Sequence, residues 1–223
     1  MLDNLPCLSA AQMREADRRC IEEIGIPGAV LMNNAGVAVF RYIAEGPVGI
    51  VCGKGNNGGD GYVVARLALL AGLETRVVVL ADAGDVAGDA LTFLRAYENL
   101  GGAVAFTPEP GEAAGAVAGL GGAAVLVDAI LGTGIAGEVR GVARAAIEAW
   151  PPGRTISVDL PSGMNADTGE PCGACIRADL TVTFQFPKLG FQRVVARPWL
   201  GELVVADIGI PAICADDARW HAR

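Results

Sequence analysis

Apolar and polar positions alternate along the chain with two distinct patterns, one before residue 48 and one after it. In 9–23, apolar residues recur at Met13, Ala16 and Cys20, and then at Ile24, with charges between them, which is the period of an amphipathic helix; Ser9 stands at the N-cap. After the break at Gly25, Pro27 and Gly28, residues 29–45 are apolar almost throughout and predict a second, largely buried helix. From residue 48 the pattern changes to short, continuously apolar runs at 48–52, 75–80, 103–106, 124–130, 155–160, 180–184 and 203–206. Helical segments at 61–70, 87–100, 113–118 and 143–150 separate the first five of these runs.

Continuously apolar strands alternating with helices predict strands covered on both faces. The expected class is therefore α/β: a three-layer, Rossmann-like fold with a mostly parallel sheet and helices on both faces. One domain is expected over 1–223, with N-terminal helices in 9–45 and the sheet and crossover helices in 48–210. The longest irregular stretch, 161–177, is expected to be a functional loop at the carboxyl edge of the sheet. The apolar helix over 29–43 is expected to cover the sheet edge or a partner, which makes a homodimer possible.

Composition narrows the function. Just over half of the 223 residues are apolar and 19% are charged, a globular balance. The net charge is −8 with Lys and Arg scattered, so no basic stripe for nucleic acid is present. Any phosphate would have to be held by backbone N–H groups and helix ends. The glycines interrupting 113–131 argue against a membrane span, and the first residues lack a signal-peptide pattern, so a cytoplasmic protein is expected. Cys172 and Cys175 form a CxxC, but with His221 as the sole histidine the ligand count does not make a zinc site.

Two stretches match G-x-G-x-x-G, Gly53–Gly58 and Gly132–Gly137, each after an expected strand and before an expected helix. The pattern is cheap in a chain with 31 glycines, so context gives it weight. The first loop continues Asn56-Asn57-Gly58-Gly59-Asp60-Gly61, with amides and a carboxylate where small residues would suffice. Asp60 is suited equally to capping the next helix or to meeting a ligand. Asp82 falls where a ribose-binding acid would stand in a dehydrogenase, though an exposed turn suits it better. Asp128 and Asp159 end buried runs, so Asn57, Asp128, Asp159 and Ser162 are expected to share one crevice. Such an oxygen-rich set suits a hard cation. Lys188 either lies at the surface or reaches the same crevice.

These residues closely resemble those of the NAD(P)H-hydrate epimerases. The likeness is carried by Leu31-Met32-Asn33-Asn34-Ala35-Gly36, by 53–61, by Val127-Asp128-Ala129-Ile130-Leu131-Gly132-Thr133-Gly134 and by Val158-Asp159-Leu160-Pro161-Ser162-Gly163. Thr183-Phe184, Pro187-Lys188 and Asp207-Ile208-Gly209-Ile210-Pro211 complete it. The resemblance implies epimerisation of the R and S hydrates of NADH and NADPH, so that a separate dehydratase accepting one epimer can restore the cofactor. It implies dinucleotide binding by Asn56, Asn57, Gly58, Gly59, Asp60, Gly132, Thr133, Gly134, Ile135, Ala136, Gly137, Glu138 and Asp159. It further implies one potassium ion per subunit held by Asn57, Asp128 and Ser162, and proton transfer by Asp159 assisted by Lys188. Members often carry an acid near Asn33, and bifunctional members add a dehydratase domain; here the epimerase part alone is expected. Two other classes remain open on the residues: a nucleotide-binding scaffold and an NAD-dependent dehydrogenase.

Overall fold

The computed structural model describes residues 5–135 and 137–221. Helix α1 (Ala10–Arg18) opens with a full capping box, the Ser9 hydroxyl accepting from Gln12 N and the Gln12 side chain accepting from Ser9 N. A π-helical turn, Arg19–Ile24, continues it and stops at Gly25, whose φ of 89° reverses the chain. Helix α2 (Gly28–Phe40) is shorter than its apolar run, because the chain turns at Arg41 and Tyr42.

The sheet contains β1 (Val48–Cys52), β2 (Thr75–Val79), β3 (Val104–Phe106), β4 (Val125–Ala129), β5 (Thr155–Val158), β6 (Leu180–Phe184) and β7 (Glu202–Ala206). Their order is β3-β2-β1-β4-β5-β6-β7, and all six pairings are parallel. Helices α3 (Asn56–Leu70), α4 (Gly88–Asn99), α5 (Pro110–Ala118) and α6 (Gly141–Glu148) connect the first five strands. Short helices α7 (Arg197–Leu200) and α8 (Asp217–Trp220) lie near the end.

Successive strand residues point to opposite faces and feed two separate cores. Ile50, Val77, Val79 and Val127 pack with Val63 and Val64 of α3 and with α2 and α4. Val51, Val78 and Leu126 pack with Val117 of α5 and with Ala146 and Ile147 of α6. This is the expected three-layer arrangement. Helix α2 is accounted for inside the chain, packed against α3.

One boundary differs in a way that matters. Helix α3 begins at Asn56, not near Gly61, so the Asn-Asn-Gly-Gly-Asp-Gly run is helical rather than loop. Its glycines serve close packing. A Cβ at Gly61 would stand 2.6 Å from Cys52 Sγ and from Ala129 Cβ, and one at Gly58 would run into the Gly53 carbonyl. The helix is thereby pressed onto β1 and β4. The chain leaves β1 toward β2 and later crosses back to β4, so the carboxyl ends of β1 and β4 flank the switch point of the sheet, where a crevice opens.

Candidate functional site

A cavity of about 900 Å³ occupies this crevice, a size suited to a small organic ligand. Its walls come from the turns after β1, β4, β5 and β6 and from α1 and α2.

Strand β5 ends at Val158 because the next residue, Asp159, takes φ 68°, outside the strand region. A tight turn results, Leu160 N donating to Val158 O at 2.8 Å. Gln185 does the same after β6, with φ 58° and Phe186 N donating to Phe184 O. A left-handed conformation at a non-glycine residue is uncommon and is held only by its surroundings. Here it aims the carboxylate of Asp159 into the cavity.

Lys188 is buried rather than at the surface, 1% exposed. Its ammonium donates to Asp159 Oδ1 at 2.5 Å, to Thr183 Oγ1 at 2.9 Å and to Phe186 O at 3.5 Å. The three N–H bonds are thus all used, and the Thr183 hydroxyl also donates to Asp159 at 3.2 Å. The segment is pinned from outside: Leu8 N donates to Pro187 O and Leu189 N to Leu8 O, so the residues leading into α1 lie alongside Lys188.

Two more carboxyl groups face this ion pair. Asp60 sits inside α3, in its first turns and not at its cap, and is buried. Burial pushes its carboxyl well above the usual range, Asp159 and Asp17 add to the rise, and Lys188 opposes it. Asp17 of α1 is pushed up to about 6, chiefly by burial and then by Asp159, with Lys188 again opposing. Asp17 was missed in the sequence. The available signal was its position: four residues after Met13 and beside the buried Ala16, on the inward side of an amphipathic helix.

Of the remaining candidates, Asn56, Asn57, Gly132, Thr133, Gly134 and Ile135 line the cavity. Gly58 and Gly59 are buried within α3, behind the wall. Gly137 and Glu138 do not line it, and Glu138 pairs with Arg140 and Arg144. Ala136 lies outside the described residues. The second glycine stretch is not followed at once by a helix, since α6 starts only at Gly141. Of the two glycine stretches, the first alone runs directly into a helix, α3, whose N-cap Gly55 supplies no side-chain oxygen and leaves its first N–H groups free. Asp82 stays outside the cavity, where Asp85 and Asp89 stand instead.

Behind the wall, Asp128 is fully buried. It accepts from Ser157 Oγ and Ser162 N, both at 2.8 Å, from Ser162 Oγ at 2.5 Å and weakly from Ile130 N at 3.4 Å. Desolvation still lifts its carboxyl above the usual value, since every donor is neutral. Leu131 N donates to Ser162 Oγ at 2.9 Å, and a Cβ at Gly132 would stand 3.4 Å from the Asn57 side chain, so Asn57, Asp128 and Ser162 converge on one stretch of chain. The Asn57 side-chain nitrogen is buried without a partner.

The motif Asp207–Pro211 has a structural part to play. Gln185 Oε1 accepts from Ile208, Gly209 and Ile210 N, and Asn34 Nδ2 donates to Ile208 O. Asn33 turns away from the cavity and accepts from Arg66 of α3 at 2.9 Å.

Comparison with known proteins agrees with this geometry. The family described as "YjeF-related protein N-terminus" matches residues 28–190. The chain is 44% identical over 226 residues to a bifunctional NAD(P)H-hydrate repair enzyme of Moorella thermoacetica, covering 97% of this chain and 43% of that one. It is 38% identical over 213 residues to an NAD(P)H-hydrate epimerase of Rhodopirellula baltica, covering 93% and 86% respectively. The chain thus spans less than half the length of the bifunctional relatives and most of that epimerase. The crystal structure of yeast ynu0, YNL200c, shares the fold, with a TM-score of 0.70 at 22% identity over 84% of each chain.

Proposed function

Because the chain belongs to the YjeF-related N-terminal family, which takes in NAD(P)H-hydrate epimerases, we propose that it interconverts the R and S hydrates of NADH and NADPH. The single observation that carries this reading is the Asp159–Lys188 pair, held in a left-handed turn at the edge of a cavity at the sheet's switch point.

The hydrate carries a hydroxyl on the ring carbon next to nitrogen. Protonation of that hydroxyl breaks the carbon–oxygen bond and releases water, with the ring nitrogen supplying the electron pair. Water then adds to either face of the planar cation and gives up a proton. The chemistry needs acid–base groups and no redox step. Asp159 transfers the proton, while Lys188 and Thr183 fix its carboxylate. The N–H groups at the start of α3 and the turn at Gly132–Gly134 meet the phosphates. None of the described cavity-lining residues is His or Tyr, and Asp82 stands apart, which disfavours the dehydrogenase reading.

Potassium fits Asn57, Asp128 and Ser162. A fully buried carboxylate with only neutral donors lacks a counter-charge, and the orphaned Asn57 amide, whose oxygen and nitrogen exchange places by a flip, lies on the same stretch. The ion, when bound, would supply that charge and order the turn after β4. A rise in melting temperature with added potassium chloride, absent with lithium chloride and lost in Asp128→Asn, tests this.

In this reading the product feeds a separate dehydratase that accepts one epimer, and the protein works in the cytoplasm. Among the described residues, no helix is long and apolar enough to cross a membrane. A homodimer is compatible with the fold. The activity is tested with mixed hydrates and excess stereospecific dehydratase. Full recovery of the reduced cofactor at a rate set by this protein supports an epimerase; a rate equal to spontaneous epimerisation points to a binding scaffold.

A further inference from the structure

Epimerisation through a planar cation poses a geometric demand. Water must leave from one face of the ring and enter on the other. A single carboxylate fixed at the edge of a cavity serves one face well, so a second proton carrier is required on the other side.

Of the four other carboxyl groups that line the cavity among the described residues, Asp85 and Asp89 included, Asp17 on α1 and Asp60 on α3 are the two that interact with Asp159. Asp60 is buried within its helix. Asp17 comes from a different wall. Its helix is attached to the Lys188 segment through Leu8, and Ala10 N donates to Asp167 at 2.7 Å, so α1 is fastened across the site at its start. Met13 and Asp17, one helical turn apart, both line the cavity. Among the described residues Asp17 forms no hydrogen bond or ion pair. It helps hold no element in place, and its carboxyl is free to meet a ligand.

We propose that Asp17 is a second catalytic acid–base group of this site, serving the α1 side of the ring while Asp159 serves the β5 side. The inference rests on the epimerase reading. In one direction Asp17 gives its proton to the ring hydroxyl, which departs as water, and Asp159 takes a proton from the water that adds to the other face. In the reverse direction the roles exchange. Each turnover moves one proton in and one out, so no co-reactant is needed.

The charged groups around Asp17 suit this role. Burial and Asp159 after β5 favour a neutral Asp17, Lys188 after β6 favours an ionised one, Asp60 of α3 is itself pushed up by Asp17, and Arg14 of the same helix stands at the rim. The balance leaves the carboxyl near 6, where it both gives and takes a proton at neutral pH.

The test compares wild type, Asp17→Asn and Asp17→Glu, following R-to-S conversion of a purified hydrate by chromatography from pH 5 to 8.5, with the spontaneous rate subtracted. Dinucleotide affinity is measured alongside. Expected is a loss of about 100-fold or more for Asp17→Asn with affinity within about threefold of wild type. The inflection near pH 6 should vanish with it, and Asp17→Glu should restore part of the rate together with an inflection. The proposal is overturned if Asp17→Asn keeps the wild-type rate and profile. It is also overturned if both variants lose rate equally while the profile stays unchanged, which is the outcome for a purely structural residue. If wild type itself gives no acceleration, the epimerase reading has failed instead, before Asp17 is in question.

Discussion

Replacing Asp17 with Asn should make the protein more stable at neutral pH, because a carboxyl group used in catalysis is held there at a cost to the fold. The folded state raises this group from its ordinary 3.8 to about 6. Between those values the folded protein binds more protons than the unfolded chain, so stability falls as pH rises from about 4 to about 6 and is level beyond. A change of roughly two pH units corresponds to about 3 kcal/mol at ~1.36 kcal/mol per unit. Asp17 is half-buried and borders an open cavity, so solvent screening reduces this to about 1–2 kcal/mol. At this chain length such a gain raises the melting temperature by about 2–8 °C. The assay is urea and thermal unfolding of wild type and Asp17→Asn at pH 4 and pH 7.5. The expected difference is near zero at pH 4 and favours the variant at pH 7.5. A variant destabilised equally at both pH values would refute the assignment of burial and Asp159 as the cause of the shift.

Three other substitutions probe separate parts of the structure. Lys188→Met leaves Asp159, Thr183 and the Phe186 carbonyl without their donor, so a loss of about 3 kcal/mol is expected at pH 7.5 by urea unfolding. The loss should shrink at pH 5, where Asp17, which Lys188 holds down, becomes neutral. Gly61→Ala should cost about 1–3 kcal/mol through overpacking against Cys52 and Ala129, whereas Gly55→Ala, with open space around it, should cost less than ~1 kcal/mol. Equal costs in denaturant titrations would argue that the glycines serve the ligand and not the packing. Asn33→Glu should stabilise by about 0.5–1 kcal/mol, since a carboxylate can also reach the buried, unpartnered Nε of Arg66; an unchanged or lower denaturation midpoint would count against it.

Much of this was legible in the chain. The apolar runs marked every strand, because parallel strands buried on both faces need no polar alternation. Asp128 and Asp159 stood out as acids closing such runs. The start of α3 was misplaced because glycine reads as a helix breaker when only backbone freedom is considered. Here Gly58 and Gly61 are selected by the closeness of β1 and β4, a tertiary constraint absent from local pattern. The burial of Lys188 was open for the same reason: its partners, Thr183 and Asp159, come from two neighbouring strands, and the left-handed turns that bring them together are formed by Asp159 and Gln185 rather than by glycine. Asp17 escaped notice because a single acid on an amphipathic helix has the look of a solvated residue until the helix is placed over a cavity.

The central claim is that Asp159 performs acid–base chemistry on a bound hydrate. The most direct measurement takes one purified epimer and compares its conversion by wild type and Asp159→Asn, with binding of each protein to the dinucleotide measured in parallel. Wild type should accelerate conversion, and Asp159→Asn should fall to the spontaneous rate while still binding. An Asp159→Asn protein that binds and converts as fast as wild type would contradict the account.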